Sequence, residues 1–197
     1  MKSHPFTHLR IASGYSFKYG TALPEKLVER AAEFGMHSLA LTDRDGMAGA
    51  IRFVQACESH GIKPILGVNL SFLQKKHRIT LLAQGKDGLA GLYRLVSAVN
   101  RQTDNERVLT YETLEKNSEY SSHLLALFGP DSHVAAQLHM RRDELALSTF
   151  NSTRDFFAEQ AIECVSHSVK GDGPLSTALA GKSLSFAREH SLPAIMT

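Results

Sequence analysis

The chain has 197 residues, of which 43% are hydrophobic and 21% are charged, and its formal net charge is +2 at pH 7. This hydrophobic content supports a sizeable core and excludes wholesale disorder. The charge balance offers no compositional argument for nucleic-acid binding, because domains that bind nucleic acid usually carry a clustered basic surplus.

Membrane and redox signals are weak along the whole sequence. No apolar run reaches the roughly 20 residues that cross a bilayer, and no signal-like segment follows Met1. The two cysteines, Cys57 and Cys164, form neither a CxxC pair nor a disulfide framework. We therefore expect a soluble cytoplasmic protein with no membrane partner.

The hydrophobic pattern predicts strands and helices in alternation. Short apolar runs predict buried strands, and apolar residues at helical spacing predict helices. The predicted strands cover residues 6–12, 38–42, 62–72, 78–83, 123–129, 161–167 and 192–197. The predicted helices cover residues 21–35, 47–60, 88–100, 110–118, 131–140, 141–157 and 175–191.

The first two predicted helices have recognisable ends. Pro24 suits a first helical turn, and Gly35 and Gly61 are typical of left-handed helix stops. The apolar spacing in these helices is carried by Leu23, Leu27, Ala31 and Phe34, and then by Ile51, Val54 and Cys57.

Repeated helix–turn–strand passages with short connections indicate a mostly parallel sheet, either open or closed into a barrel. The polar stretch 101–108 is a loop candidate and not a domain boundary, so we predict one domain. In such folds functional groups collect at the carboxyl ends of the strands. Here those ends are followed by residues 8–20 and 42–46 and by the segments GVN, FGPD, ECVSH and MT.

Five segments at or near these strand ends carry a family resemblance. They are HLRIASGYSFKYG, LALTDRDGMAGAIRF, GIKPILGVNL, ITLLAQGKDGLAGLYRLVSAVN and IECVSH. In this order they resemble the N-terminal PHP (polymerase and histidinol phosphatase) domain of bacterial DNA polymerase III alpha subunits, and PEKLVERAAEFG with TDRDG is most similar to the error-prone branch. The resemblance implies an α/β fold, a distorted (βα)7-type barrel with mostly parallel strands. It also implies that residues 1–197 are a single PHP-like domain, the N-terminal fragment of a longer polymerase chain.

Metal-dependent members of that family carry His, Cys and carboxylate ligands at the strand ends, and the resemblance places this sequence's residues against them. The positions that depart from the ligand pattern are Arg10, Ala12, Tyr19, Arg44, Asn69, Arg78 and Pro130. The residues that remain in the resulting cleft are His8, Ser13, Ser16, Asp43, Glu163 and His167.

The chemistry of the departures opposes a metal centre. A guanidinium has no lone pair to donate and stays protonated in proteins, so Arg10, Arg44 and Arg78 would put fixed positive charge where cations should sit. We therefore predict no catalytic residue and no metal or other cofactor in this domain, with Mg²⁺ expected only in the absent polymerase domain. We further expect Arg10, Arg44 or Arg78 to pair with Asp43 or Glu163. A bound sulfate or phosphate remains an alternative for the arginine-lined cleft.

The resemblance implies a degenerate, metal-free PHP domain with a structural or docking role. Its parent would be a DNA-directed DNA polymerase, a nucleotidyltransferase of replication or repair, and the fragment alone would not be catalytic. The implied partners are the remaining polymerase domains, a proofreading exonuclease subunit, and DNA and dNTP through the full-length protein. Two alternatives stay open: an active metal-dependent phosphoesterase or 3'-5' proofreading nuclease, and a free-standing protein-binding adaptor.

Overall fold

A computed structural model describes residues 6–103, 107–165 and 175–197. The strands are β1 (Ser38–Leu41), β2 (Lys63–Phe72), β3 (Gln74–Ala83), β4 (Leu124–Phe128), β5 (Glu159–Cys164) and β6 (Ala194–Met196). The helices are α1 (Pro24–Glu33), α2 (Ala50–His60), α3 (Gly85–Asn100), α4 (Tyr111–Glu115), α5 (Ser118–Ser121), α6 (His133–His139), α7 (Asp143–Asn151) and α8 (Thr177–Glu189), and Arg154–Phe156 form a 3-10 turn. Strand order in the sheet follows chain order. The chain divides into two compact units, the first ending at Asn69 and the second beginning at Leu70.

In the first unit, β1 pairs in parallel with the first half of β2, from Ser38 opposite Lys63 to Leu41 opposite Leu66. Helices α1 and α2 cover this pair with a buried apolar cluster. Its most enclosed members are Val28, Leu39, Phe53 and Cys57. A parallel pair needs a crossover connection, and α2 supplies it. The carboxyl end of β1 is thereby left to continue directly into Thr42 and Asp43.

Residues 6–12 form no strand, so that prediction is wrong. The segment nevertheless runs beside β1. The backbone N–H of Ala40 donates to the carbonyl of His8 at 3.0 Å, and that of Thr42 donates to Ile11 at 2.8 Å. The two acceptors are three residues apart whereas the two donors are two residues apart, so the register is interrupted and no regular ladder forms.

The buried faces of α1 and α2 differ from the predicted spacing. Val28 is fully buried on α1, whereas Phe34 is 63% exposed. On α2, Phe53 is fully buried and Ile51 is 70% exposed. The inward face of α2 passes through Phe53 and Cys57, so Cys57 is the buried member of the predicted set and Ile51 lies on the outer face. The two glycine stops are confirmed, since Gly35 and Gly61 have φ of 67° and 66°.

In the second unit, β3 is antiparallel to β4, with Thr80 opposite Leu127. Strand β5 is parallel to β4 and β6 is parallel to β5, which confirms a mostly parallel arrangement. Because β3 runs the other way, its amino-terminal end lies at the same edge as the carboxyl ends of β4 and β5. Serine side chains cap two of the helices around these strands, Ser132 at α6 and Ser176 at α8.

Within residues 6–103, 107–165 and 175–197, none of the helices combines the length and the apolar character needed to cross a bilayer.

Candidate functional site

Asp43 is the centre of the predicted cleft in the first unit. It follows β1 directly and is 1% exposed. Its Oδ1 accepts from the Ser13 backbone N–H at 2.6 Å and from the Ser16 hydroxyl at 2.7 Å, while the Ser13 hydroxyl lies 2.8 Å from Oδ2. A buried carboxylate needs such donors, because an unpaired charge in the interior is costly. Both retained serines are therefore donors to Asp43.

Hydrogen bonds also attach the residues around Asp43 to β2. The Ser16 hydroxyl accepts from the Arg44 backbone N–H at 2.9 Å. The Asn69 N–H donates to the carbonyl of Asp43, and the Asp45 N–H donates to the carbonyl of Asn69, each at 3.0 Å. Asn69, one of the departing positions, is thus placed beside Asp43 through its backbone.

Arg44 and Tyr19, two further departing positions, are brought into contact. The Arg44 Cζ lies 3.5 Å from the centroid of the Tyr19 ring, which is a close cation–π stack. The resemblance assigned these two positions to a histidine and an aspartate ligand. Here the two side chains interact with each other. The Arg44 guanidinium stacked on the Tyr19 ring takes the place of the expected pair of ligands.

The loop that carries Ser13, Ser16 and Tyr19 closes tightly. The Gly14 N–H donates to Ala22 at 2.7 Å, and the Gly20 N–H donates to Ser16 at 3.0 Å. A Cβ at Gly20 would overlap the carbonyl of Ser13, so only glycine fits that position without a backbone shift.

Helix α2 approaches the same carboxylate through a glycine. A Cβ at Gly49 would lie 2.9 Å from the Tyr15 ring and 3.1 Å from Asp43 Oδ2. The absence of a side chain at Gly49 allows the start of α2 to reach Asp43. The carboxylate is consequently enclosed by the loop on one side and by this helix on the other.

His8, Arg10 and Ala12 all lie on the segment that runs beside β1 and are half-buried. The His8 ring meets Phe6 edge-on, with centroids 4.8 Å apart. Burial lowers the pKa of His8. His8 is therefore more readily neutral than a free histidine.

In the second unit, Arg78 is buried in the middle of β3, two residues before the pairing with β4 at Thr80. Its Nη1 donates to the Ser71 hydroxyl at 3.1 Å, and its backbone N–H donates to the carbonyl of Asp131 at 3.0 Å. The second bond places Arg78 beside the turn that contains Pro130, directly after β4. These two departing positions therefore lie at the same edge, as the antiparallel β3–β4 register requires.

Glu163 lies at the end of β5 and is buried. The Thr197 hydroxyl donates to Glu163 Oε1 at 2.8 Å, across the β5–β6 pair. Burial, and to a smaller extent the charge of Glu163, raises the pKa of the neighbouring Cys164 thiol. The remaining predicted cleft residue, His167, lies outside the residues that the structure describes.

The donor set offers a test of whether a metal would fit. Over the described ranges, no group of three or more His, Cys, Asp or Glu side chains is arranged to hold a metal ion. In the first unit, both oxygens of Asp43 are already engaged by hydroxyl and amide donors. Within the described ranges, Asp43 is therefore a hydrogen-bonded carboxylate and not a member of such a group.

The expected ion pairs have two outcomes. The hydrogen bonds of Asp43 come from Ser13 and Ser16, and among described residues no arginine or lysine forms a salt bridge with it. The prediction of an arginine partner for Asp43 is therefore wrong: compact hydroxyl and amide donors fill the space around its carboxylate. Pairing of an arginine with Glu163 stays a prediction.

One cluster was missed by the sequence analysis. His77 and His133 stack with ring centroids 4.8 Å apart and planes 6° from parallel. A cavity of about 290 Å³ beside them is lined by residues that include Lys76, His77, Pro130 and Asp131. Burial lowers the pKa of both histidines. The sequence pattern did not reveal this contact, because it depends on β3 being antiparallel to β4, which brings the residues before Arg78 next to those after Pro130.

Comparison with known proteins gives the family. The PHP domain model matches residues 8–167. The DNA polymerase III alpha subunit of Buchnera aphidicola (Schizaphis graminum) is 34% identical over 66% of this chain and 12% of its own length. The error-prone DNA polymerase of Corynebacterium diphtheriae is 30% identical over 97% of this chain and 20% of its own length. The chain thus spans a fifth or less of these two curated relatives.

A solved structure supports the same fold. An amidohydrolase from Chromobacterium violaceum, with bound sulfate and no metal, superposes with a TM-score of 0.59 at 18% identity. The superposition covers 95% of this chain and 84% of the other. At this identity the likeness concerns the fold alone, and it agrees with the PHP-like α/β arrangement predicted above. The chain belongs to the PHP domain family.

Proposed function

We propose that this chain is a PHP domain without a catalytic metal centre that serves as a structural domain of a DNA polymerase related to the alpha subunit of polymerase III. The observation that carries the proposal is the burial and hydrogen bonding of the Asp43 carboxylate. Its carboxylate is buried and accepts hydrogen bonds from Ser13 and Ser16. A side chain used in this way stabilises the fold and has no free oxygen directed toward a cation.

The electrostatics of the surrounding positions support the same proposal. Arg44 lies on Tyr19, and Arg78 lies at the strand edge beside Pro130. Guanidinium groups carry permanent positive charge and donate no electron pair. At 5 Å a unit charge repels a dication by roughly 7 kcal/mol at an effective dielectric constant of 20. Such repulsion, added to a poor donor set, opposes metal-dependent hydrolysis of phosphate esters.

The larger roles are proposals drawn from the relatives. Two of them are named as DNA polymerases and are several times longer than this chain. We place the domain within such a polymerase, where the other domains would bind DNA, dNTP and Mg²⁺ and carry out synthesis. Those domains, and a proofreading exonuclease subunit, are the proposed docking partners.

Metal analysis tests the absence of a catalytic centre. The chain is purified without chelators and analysed by inductively coupled plasma mass spectrometry for zinc, manganese and iron. Hydrolysis of bis(p-nitrophenyl) phosphate is measured with each metal added. We expect metal far below one equivalent per chain and no hydrolysis above the buffer rate. Stoichiometric metal that is lost in the Asp43→Asn variant, together with hydrolysis, would overturn the proposal.

A second experiment tests the structural role in the complete polymerase. Asp43→Asn is introduced into the full-length protein, and thermal stability and primer extension are measured on the same preparation. We expect a lower melting temperature but an unchanged extension rate per folded molecule. An extension rate that falls at unchanged stability would contradict a purely structural role for this carboxylate.

A further inference from the structure

The loop from Ser13 to Gly20 presents three aromatic side chains to solvent. Phe17 is 84% exposed, Tyr19 is 54% exposed and Tyr15 is 39% exposed. A phenylalanine this exposed buries almost none of its surface in the fold. The proposed structural role makes no use of the Phe17 ring, and we refer to residues 13–20 as the aromatic loop.

Hydrogen bonds on the buried side of the aromatic loop hold its backbone in place. Both Ser13 and Ser16 are bonded to the buried Asp43, and the Tyr15 N–H donates to the Ser13 hydroxyl at 3.2 Å. Lys18 lies at the outer part of the loop with a left-handed φ of 60°. The loop backbone that carries the rings is therefore held in place before any ligand arrives, which lowers the entropic cost of binding.

Each exposed ring has a cation beside it. Lys18 Nζ lies 5.3 Å from the centroid of the Phe17 ring, and Arg44 Cζ lies 3.5 Å from that of Tyr19. Arg52 Nη1 donates to the Tyr15 hydroxyl at 3.3 Å. An apolar protein partner would have to desolvate these charges. A polyanion with flat rings would gain from both the cations and the aromatic faces.

We propose that the aromatic loop binds single-stranded DNA, with bases stacked on Phe17 and Tyr19 and phosphates near Lys18 and Arg44. Proteins that bind single strands commonly combine exposed aromatic rings with cationic side chains. The rings stack on the bases, and the cations attract the negative charge that every nucleotide carries. In duplex DNA the bases are already stacked, so this surface favours single strands. The choice of DNA over RNA rests on the proposed function, whereas the stacking surface does not.

Fluorescence anisotropy with a labelled oligo(dT) of about 12 nucleotides tests the proposal at low salt. The variant is Phe17→Ala, which removes a side chain that the fold does not bury. We expect the dissociation constant to rise roughly five- to 100-fold, the loss typical of one stacked base. Phe34→Ala is the matched control, because Phe34 is also exposed and Arg30 Cζ lies 4.3 Å from its ring centroid. Its affinity should equal that of the parent chain.

The salt dependence of binding tests the contribution of the cationic side chains. Lys18→Gln should lower the slope of log affinity against log salt by about 0.7, the contribution of one phosphate contact in a single strand. Absence of binding at low salt, an equal loss in Phe17→Ala and Phe34→Ala, or tighter binding of a duplex would each overturn the proposal. Metal content and ester hydrolysis report on the proposed function separately, so either proposal can fail alone.

Discussion

The guanidinium of Arg44 lies 3.5 Å from the ring centroid of Tyr19, and both residues stand where the family resemblance placed metal ligands. The two side chains therefore interact directly with each other. Tyr19 offers an aromatic face to the cation, and the buried Asp43 carboxylate accepts from serines.

A double-mutant cycle measures this stack. Arg44→Gln and Tyr19→Leu are made singly and together, and the free energy of unfolding is measured in urea. We expect a coupling energy of about 0.5–1 kcal/mol, typical of a cation–π pair at an accessible site. The corresponding cycle on Arg30 and Phe34 provides a comparison on α1, since Arg30 Cζ also lies over an exposed ring. Strictly additive effects of the Arg44 and Tyr19 changes would show that the stack contributes nothing.

Replacement of the buried carboxylate should be costly. Asp43→Asn keeps the shape but puts an amide NH₂ where an oxygen accepts from Ser13 or Ser16. We expect a loss of about 1–3 kcal/mol in the free energy of unfolding, because a buried donor is left without an acceptor. Glu33→Gln, which alters an exposed ion pair with Arg30, should change stability by no more than about 1 kcal/mol. A stable Asp43→Asn variant would remove the basis for the structural role.

The aromatic loop depends on its last residue. In Gly20→Ala the new Cβ would overlap the Ser13 carbonyl, so the backbone must move and the bonds to Asp43 must lengthen. We expect a loss of about 1–3 kcal/mol in stability on thermal or urea unfolding. Gly14→Ala is the control, because its Cβ would lie no closer than 3.6 Å to its nearest neighbours. Equal stability of the two variants would show that the loop can relax.

Stability should fall as the pH is lowered. Burial lowers the pKa of His77 and His133 in the folded state, and Lys76 lowers both further while Asp131 partly opposes this for His77. The unfolded chain therefore takes up protons first, near pH 6.5, and folding weakens from that pH downward until the folded histidines also titrate. Denaturation midpoints measured between about pH 8 and 5 would show this decline.

The variant for the pH experiment is His133→Phe. His133→Phe keeps a flat ring against His77 but removes one titrating group, so the slope below pH 6.5 should become shallower. His8, whose pKa is also lowered by burial, should account for part of the remaining slope. An identical slope in His133→Phe would assign the effect to other groups.

Local signals in the sequence predicted much of the fold. Gly35 and Gly61 end their helices in the left-handed conformation, as glycine does where other residues are strained. The run 38–42 became β1 because it is almost continuously apolar and is covered by helices. The buried faces of α1 and α2 were less predictable. Val28 and Phe53 are buried because they lie on the helix faces that pack against β1, and apolar spacing alone does not report this.

The candidate site was predictable in its membership but not in its contacts. Asp43, Ser13 and Ser16 were all named from the sequence, yet the expected partner of Asp43 was an arginine. Charge complementarity favoured that pairing, whereas short hydroxyl and amide donors fit the space left beside Gly49. The stack of Arg44 on Tyr19 depends on the loop conformation, which residue identities do not specify. His77 and His133 meet only because β3 is antiparallel to β4.

The bonding of Asp43 bears on how its position should be interpreted in other chains. A carboxylate that joins a loop, the end of β1 and the backbone of Asn69 contributes to the fold with or without a metal ion beside it. The presence of this aspartate in a chain is then a poor marker of hydrolytic activity.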